Sequence, residues 1–150
     1  MTPFSCAKEI AEYLKGVLKV GDAGRIYAGF LPKIDKISDA YKRCPAIAIR
    51  PIDIDDAKDV STAIMAIYVV TFDDDVECGS EALYHLIESI RFELLSNNPI
   101  KNRWLIDLNE KSLHTSIPDE QFYPYWVAVL DFAVRISQPS NKKVINQFTR

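Results

Sequence analysis

Glycine is scarce, with 5 in 150 residues, and no Gly-rich phosphate loop, P-loop or GxSxG elbow can be found along the chain. Cysteine is scarcer. The three present, Cys6, Cys44 and Cys78, are odd in number, widely spaced and without a CxxC pair, which supports neither a disulfide framework nor a zinc knuckle. The 2 histidines, His85 and His114, lack a partner at metal-ligand spacing such as HExxH. No apolar run approaches the roughly 18 residues that span a bilayer, and the longest, Ala63 to Val70, is strand-sized. The start, Met1-Thr2-Pro3-Phe4-Ser5, lacks the basic flank and apolar stretch of a secretory signal, so the expected place of action is the cytoplasm, with no membrane partner. An excess of positive charge is also missing. With 18 Lys and Arg against 21 Asp and Glu the net charge is −3, which argues against a protein whose task is to neutralise nucleic-acid phosphates.

What remains is the composition of a soluble globular domain, 48% hydrophobic and 26% charged. One domain is expected over residues 1–137, followed by a polar, basic tail over 138–150 that carries Lys142, Lys143 and Arg150. Ile and Val number 27 against 11 Leu, a β-branched excess that favours pleated sheet. The expected class is α+β: a mixed or antiparallel sheet of about 4–6 strands with two main helices on one face.

The first helix is marked by Thr2 as cap, Pro3 in the first turn and a stripe of Ala7, Ile10, Ala11, Leu14, Val17 and Leu18, with Gly21 and Gly24 beyond it. A short strand over Arg25 to Gly29 precedes a long polar excursion, Leu31 to Cys44. Pro45 to Ile54 reads as a strand that Pro51 pushes toward an edge or a bulge. Asp53 to Asp59 form a polar turn, and Thr62 to Phe72 form a long strand. A second helix over Ser80 to Ser96 carries Leu83, Leu86, Ile87, Ile90 and Leu94, and Asn97-Asn98-Pro99 stops it. Alternation over Trp104 to Leu108 and Leu113 to Ile117, around Asn109 to Ser112, predicts a hairpin. In the last strand, Phe122 to Ile136, Trp126, Ala128, Leu130, Phe132, Val134 and Ile136 share one face, and Asp131 and Arg135 mark the other.

The strand Thr62 to Phe72 is apolar on both faces, so each face needs a cover. Two helices cover one. The set Ala63, Met65, Ile67 and Val69 is therefore the candidate subunit contact, unless the 104–117 hairpin folds over it within one chain.

Groups that could carry chemistry are few. The run Asp73-Asp74-Asp75 before the second helix reads first as a cap on the helix dipole and second as a metal site. Asp53, Asp55 and Asp56 lack the glycine and the closing glutamate of a calcium loop. Cys78, just before the helix start, is placed for a lowered thiol pKa. No catalytic residue, cofactor site or metal site is assigned, and the chain is not expected to be an enzyme. The aromatic run Phe122-Tyr123-Pro124-Tyr125-Trp126 marks a strand entering the core, or a binding surface.

The order of elements, with Tyr27, the Pro45-Ala-Ile-Ala-Ile-Arg50 strand, the long apolar strand, the amphipathic helix and the final Tyr123-Pro-Tyr-Trp-Val-Ala-Val-Leu-Asp-Phe132 strand, resembles the tail terminator and tail-completion proteins of long-tailed phages and prophages. The resemblance implies a structural virion protein that forms a homohexameric ring on the completed tail tube. Such a ring stops tube and sheath polymerisation and offers a docking surface to the head–tail connector. The implied partners are further copies of the chain, the tail tube protein, the sheath and the connector, and DNA passes through the lumen without specific binding. The implied location is the host cytoplasm during assembly, then the virion tail or neck. Asp53, Asp55, Asp56, Asp73, Asp74 and Asp75 are candidates for the lumen or for an axial docking rim, where carboxylates repel the phosphate backbone. The excursion carries Lys33, Lys36, Lys42 and Arg43 against Asp35 and Asp39, a positive balance that suits a docking loop. A head–tail connector or head-completion protein is the nearest alternative. A small cytoplasmic enzyme or ligand-binding domain, using Cys78, His85 or the aspartates, is the next.

Overall fold

The computed structural model describes residues 2–19, 25–33, 36–100 and 104–138. Gly21, Gly24 and all of the expected tail but Gln138 lie outside the described residues. Helix α1 (Pro3–Val17) begins at the expected Thr2 cap, and Ser5 makes that cap reciprocal. Thr2 Oγ1 accepts from the Ser5 N–H at 3.1 Å while Ser5 Oγ accepts from the Thr2 N–H at 2.9 Å, an arrangement that contributes about 1 kcal/mol. Its buried stripe is Cys6, Ala7, Ile10, Ala11 and Leu14. Helix α2 (Glu81–Ser96) buries Leu83, Ile87, Ile90 and Leu94 of the expected stripe, while Leu86 is only partly buried against the core.

Five strands form one mixed sheet: β1 (Ile26–Ala28), β2 (Ala46–Asp56), β3 (Ser61–Phe72), β4 (His114–Ser116) and β5 (Tyr125–Ile136). Their spatial order is β1-β2-β3-β5-β4, with only the β1–β2 pair parallel. The class is α+β. Pro51 lies beyond the last residue of β2 that β1 reaches, Ile49, and the register shifts between Pro51 and Asp53. A missing N–H there costs no ladder bond to β1. In the Leu31 to Cys44 excursion, Ile37–Arg43 forms a short 3-10 helix.

The candidate contact residues are misassigned by the sequence reading. Ala63, Met65, Ile67 and Val69 are fully buried in one cluster with the stripes of both helices, flanked in the sheet by Ile47, Ile49, Leu130 and Phe132. This is the helix-covered face of the sheet. It has no surface to give to a second subunit. The opposite set is the uncovered one, because β3 places Ala66 between Arg50 and Asp131 and Ile64 beside Asp53. Desolvating those charges under a helix is far costlier than covering the purely apolar side.

The expected 104–117 hairpin is also replaced. Ile106 bridges Val134, and β4 then pairs with residues 129–131, so both halves lie along β5 as an interrupted edge strand instead of pairing with each other. Asp107 makes the interruption. Its Oδ1 accepts from the N–H groups of Asn109 and Glu110, both at 3.2 Å, while Oδ2 accepts from Arg135 at 3.0 Å. Trp104, Ile106, Leu113 and Ile117 pack into or against the helix-side core, which completes the cover of the Met65 face within one chain.

Met65→Ala is expected to lower the unfolding free energy by about 2–5 kcal/mol through the cavity it leaves. Denaturant melts at two protein concentrations check this, and the loss should be the same at both. A loss confined to dissociation of an oligomer, with subunit stability unchanged, would return Met65 to an interface.

Candidate functional site

The uncovered face starts from β1, where Gly29 adopts φ +98°, a left-handed conformation that other residues enter only under strain. The turn carries Phe30 back over the sheet. The Arg50 guanidinium lies between two rings, 4.1 Å from the Phe30 centroid and 3.9 Å from that of Tyr68, a stacked cation whose charge stays on this face. Along β3 and β5 the same face carries Ile64, Tyr68, Val70, Val127 and Val129, all half-buried. Among the described residues no α-helix covers them.

At one end of this face the excursion folds against the sheet. The Tyr41 and Phe72 rings are 5.4 Å apart, as are those of Phe72 and Tyr125. Arg25 holds the far side of the excursion by donating to the carbonyls of Cys44 at 2.9 Å and Lys42 at 3.2 Å. Between excursion and sheet lies a cavity of about 190 Å³, lined by Tyr27, Leu31, Pro32, Ala46, Val70 and Tyr125. Arg43 is also part of its wall. The sequence reading recognised the basic excursion but not the cavity, because the cavity depends on register bringing Tyr27, Ala46, Val70 and Tyr125 to one face.

The six candidate aspartates do not come together. Asp53, Asp55 and Asp56 lie in the β2–β3 hairpin, next to the exposed Ile52 and Ile54. Asp56 Oδ1 accepts from the Ser61 hydroxyl at 2.6 Å. Asp73, Asp74 and Asp75 follow the other end of β3, about 30–40 Å away at about 3.3 Å per residue. One rim in one subunit cannot hold both groups.

The second group belongs to a built tip. Asp73 Oδ1 accepts from the Asp75 N–H at 2.9 Å, and Asp75 Oδ1 accepts from the N–H groups of Glu77 at 2.8 Å and Cys78 at 2.9 Å. These bonds, that from Cys78 first, hold the Asp75 carboxyl below its ordinary range. The carboxylates therefore cap the turn that leads into α2, while the helix N-cap, Ser80, makes no side-chain cap bond. Tyr123 Oη donates to the Asp74 carbonyl at 2.5 Å and Trp126 Nε1 to the Asp73 carbonyl at 3.1 Å, which ties this loop to the segment before β5. Gly79 lies beneath Trp126, where an added Cβ would stand 2.9 Å from the indole ring.

The remaining groups stay apart. His85 and His114 are both exposed, on α2 and β4. Among the described residues no three His, Cys, Asp or Glu side chains are placed to share a metal ion, and no helix is long and apolar enough to cross a membrane. The lowered thiol pKa expected at Cys78 is corrected to a raised one. The nearby Glu81 and Asp75 carboxylates disfavour the thiolate. Burial pushes the Cys44 thiol up against the opposing pull of Arg25, and pushes Cys6 up to about 12 with help from the charge of Glu9.

No family model matches the chain, and no curated protein matches it in sequence.

In native protein Cys78 is expected to react first with iodoacetamide, because it is the exposed thiol, yet more slowly at neutral pH than a model peptide thiol of pKa about 8.5. Its rate should climb as pH rises through its elevated pKa. Glu81→Gln and high salt should both speed the reaction at neutral pH. A rate above that of the model thiol would contradict the assignment, and Cys6 should label only on unfolding.

Proposed function

We propose that this chain is a tail-terminator subunit, a structural protein that forms a ring on the finished tail tube and ends its growth. The observation that carries the reading is the uncovered sheet face. Its half-buried apolar and aromatic side chains, Ile64, Tyr68, Val70, Val127 and Val129, lie among Arg50 and Asp131 and have no α-helical cover among the described residues. A mixed face of this kind, apolar with set charges, suits an assembly surface. The resemblance in element order supplies the kind of assembly, and the net charge of −3 suits a channel through which DNA must slide without adhering.

The mechanism is geometric. A tube grows because each ring displays the surface that the next ring recognises. A terminator ring matches the last tube ring below and displays a different surface above, so addition stops. Closed heterologous contacts within the ring keep it from polymerising on its own. Under this reading the β2–β3 hairpin, with Ile52 and Ile54 exposed beside Asp53, Asp55 and Asp56, is the axial docking rim toward the tube or the connector. Its apolar side chains supply contact area and its carboxylates set register and exclude the phosphate backbone.

Tube protein polymerised with and without the purified chain tests the proposal. The expected result is rings visible at tube ends in negative stain and arrested elongation at substoichiometric amounts of the chain. Ile52→Ser with Ile54→Ser should leave the fold intact and weaken arrest by about tenfold or more. Tubes that elongate equally in the presence of the chain, with no density at their ends, would overturn the reading.

A further inference from the structure

The cavity under the excursion and the acidic tip are complementary in shape class and in charge. The cavity is apolar, and a cavity of about 150 Å³ already accepts a benzene ring, so one of about 190 Å³ takes a phenyl side chain. Its surroundings are basic: Arg43 in the wall, with Lys33, Lys36 and Lys42 on the same excursion. Lys42 is engaged locally with Asp39 at 3.2 Å, and the excursion stays positive over its whole length, four cations against Asp35 and Asp39.

The tip presents the opposite pattern. Phe122 is 76% exposed and Val76 is 82% exposed, amid Asp73, Asp74, Asp75, Glu77, Asp119 and Glu120. Phe122 is displayed on a stiff turn. Its carbonyl accepts from the Tyr125 N–H at 2.8 Å, and the Gln121 side chain accepts from the Val127 N–H at 2.6 Å while donating to the Pro118 carbonyl at 2.6 Å. A backbone turn fixed in this way leaves less ordering entropy to lose when the ring docks.

We infer that the cavity receives Phe122 of a second copy of this chain, with the acidic tip of that copy lying against the basic excursion. Phe122 and the cavity are separate patches at one end of the sheet, linked through Tyr125, which lines the cavity and whose N–H donates to the Phe122 carbonyl. A copy that gives its tip to one neighbour and its cavity to another makes a head-to-tail contact that propagates, as ring closure requires. The inference deepens the ring reading and rests on it for the identity of the partner. Apolar fit provides the affinity, and the charge match orients the approach.

Two single-sided variants and their mixture test it. The tip variant combines Phe122→Ser with Asp74→Lys and Glu120→Lys; all three side chains are exposed, so the fold is retained. The cavity variant combines Ala40→Leu, which fills the lining, with Lys33→Glu. Sedimentation from micromolar to millimolar concentration should show wild-type oligomers, and each variant should self-associate more weakly by about tenfold or more. The mixture should regain one-to-one dimers and stop there, since one intact tip meets one intact cavity. Circular dichroism and melting temperature confirm that each variant is folded, and Lys33→Glu alone serves if Ala40→Leu unfolds the excursion. Wild-type oligomers that both variants form equally well would overturn this inference and leave the ring reading standing. Variants that lose association but form no mixed dimer would also overturn it. A wild-type chain that stays monomeric throughout would remove both.

Discussion

The register of β5 on β3 is the constraint on which the rest of the structure depends. Twelve consecutive residue pairs, from Ser61 with Ile136 to Phe72 with Tyr125, put Phe132 beside Met65 and Asp131 beside Ala66. β3 alone is apolar on both sides and could be buried either way up. Its neighbours decide. With Asp131 and Arg135 on one side of β5, and Arg50 and Asp53 on the matching side of β2, only the other side can sit beneath two helices without desolvating charge. A slip of one residue would exchange the faces and strand the helix stripes over aspartates.

Much of this was legible from local signals. The Thr2 cap, the two helical stripes, the bulge at Pro51 and the span of the long strands all follow from periodicities and backbone preferences that act within a few residues. The misreadings arise where partners far apart in sequence decide the outcome. The alternation of β5 marks Asp131 and Arg135 as one face, but only pairing shows which face of β3 they join, so local pattern leaves Met65 to either a subunit contact or a cover within the chain, and the structure has the second. The 104–117 segment has the alternation of a hairpin. Asp107 instead folds five residues into a turn held by Arg135, a long-range bond that no local pattern reveals. For the candidate site, the acidic and basic groups were visible as charge runs. The division of the two acidic runs between opposite sheet ends, and the cavity beside Tyr27 and Tyr125, exist only once the strands are in register.

The functional account follows from the same asymmetry. One side of the sheet is finished within the chain, by α1, α2 and the residues of the 104–117 segment. The other is left with Tyr68, Val70, Val127, Val129 and a stacked Arg50, a surface partly roofed by the excursion. Among the described residues no cluster of His, Cys, Asp and Glu that could hold a metal ion is gathered there. The thiol pKa values are raised, by burial at Cys6 and Cys44 and by neighbouring carboxylates at Cys78, and the two histidines are on separate elements. On the proposed reading the hairpin and the acidic tip, one at each end of β3, are two further surfaces for contacts along and around an axis.

Hydroxyl-radical footprinting at increasing protein concentration is the direct test of this central claim, with Tyr68 and Met65 read from the same digests. Tyr68 should be modified in dilute protein and become protected as assemblies form, while Met65 stays unmodified at every concentration in folded protein. Modification of Met65 in dilute folded protein, with Tyr68 indifferent to concentration, would contradict the assignment of the two faces and the assembly built on it.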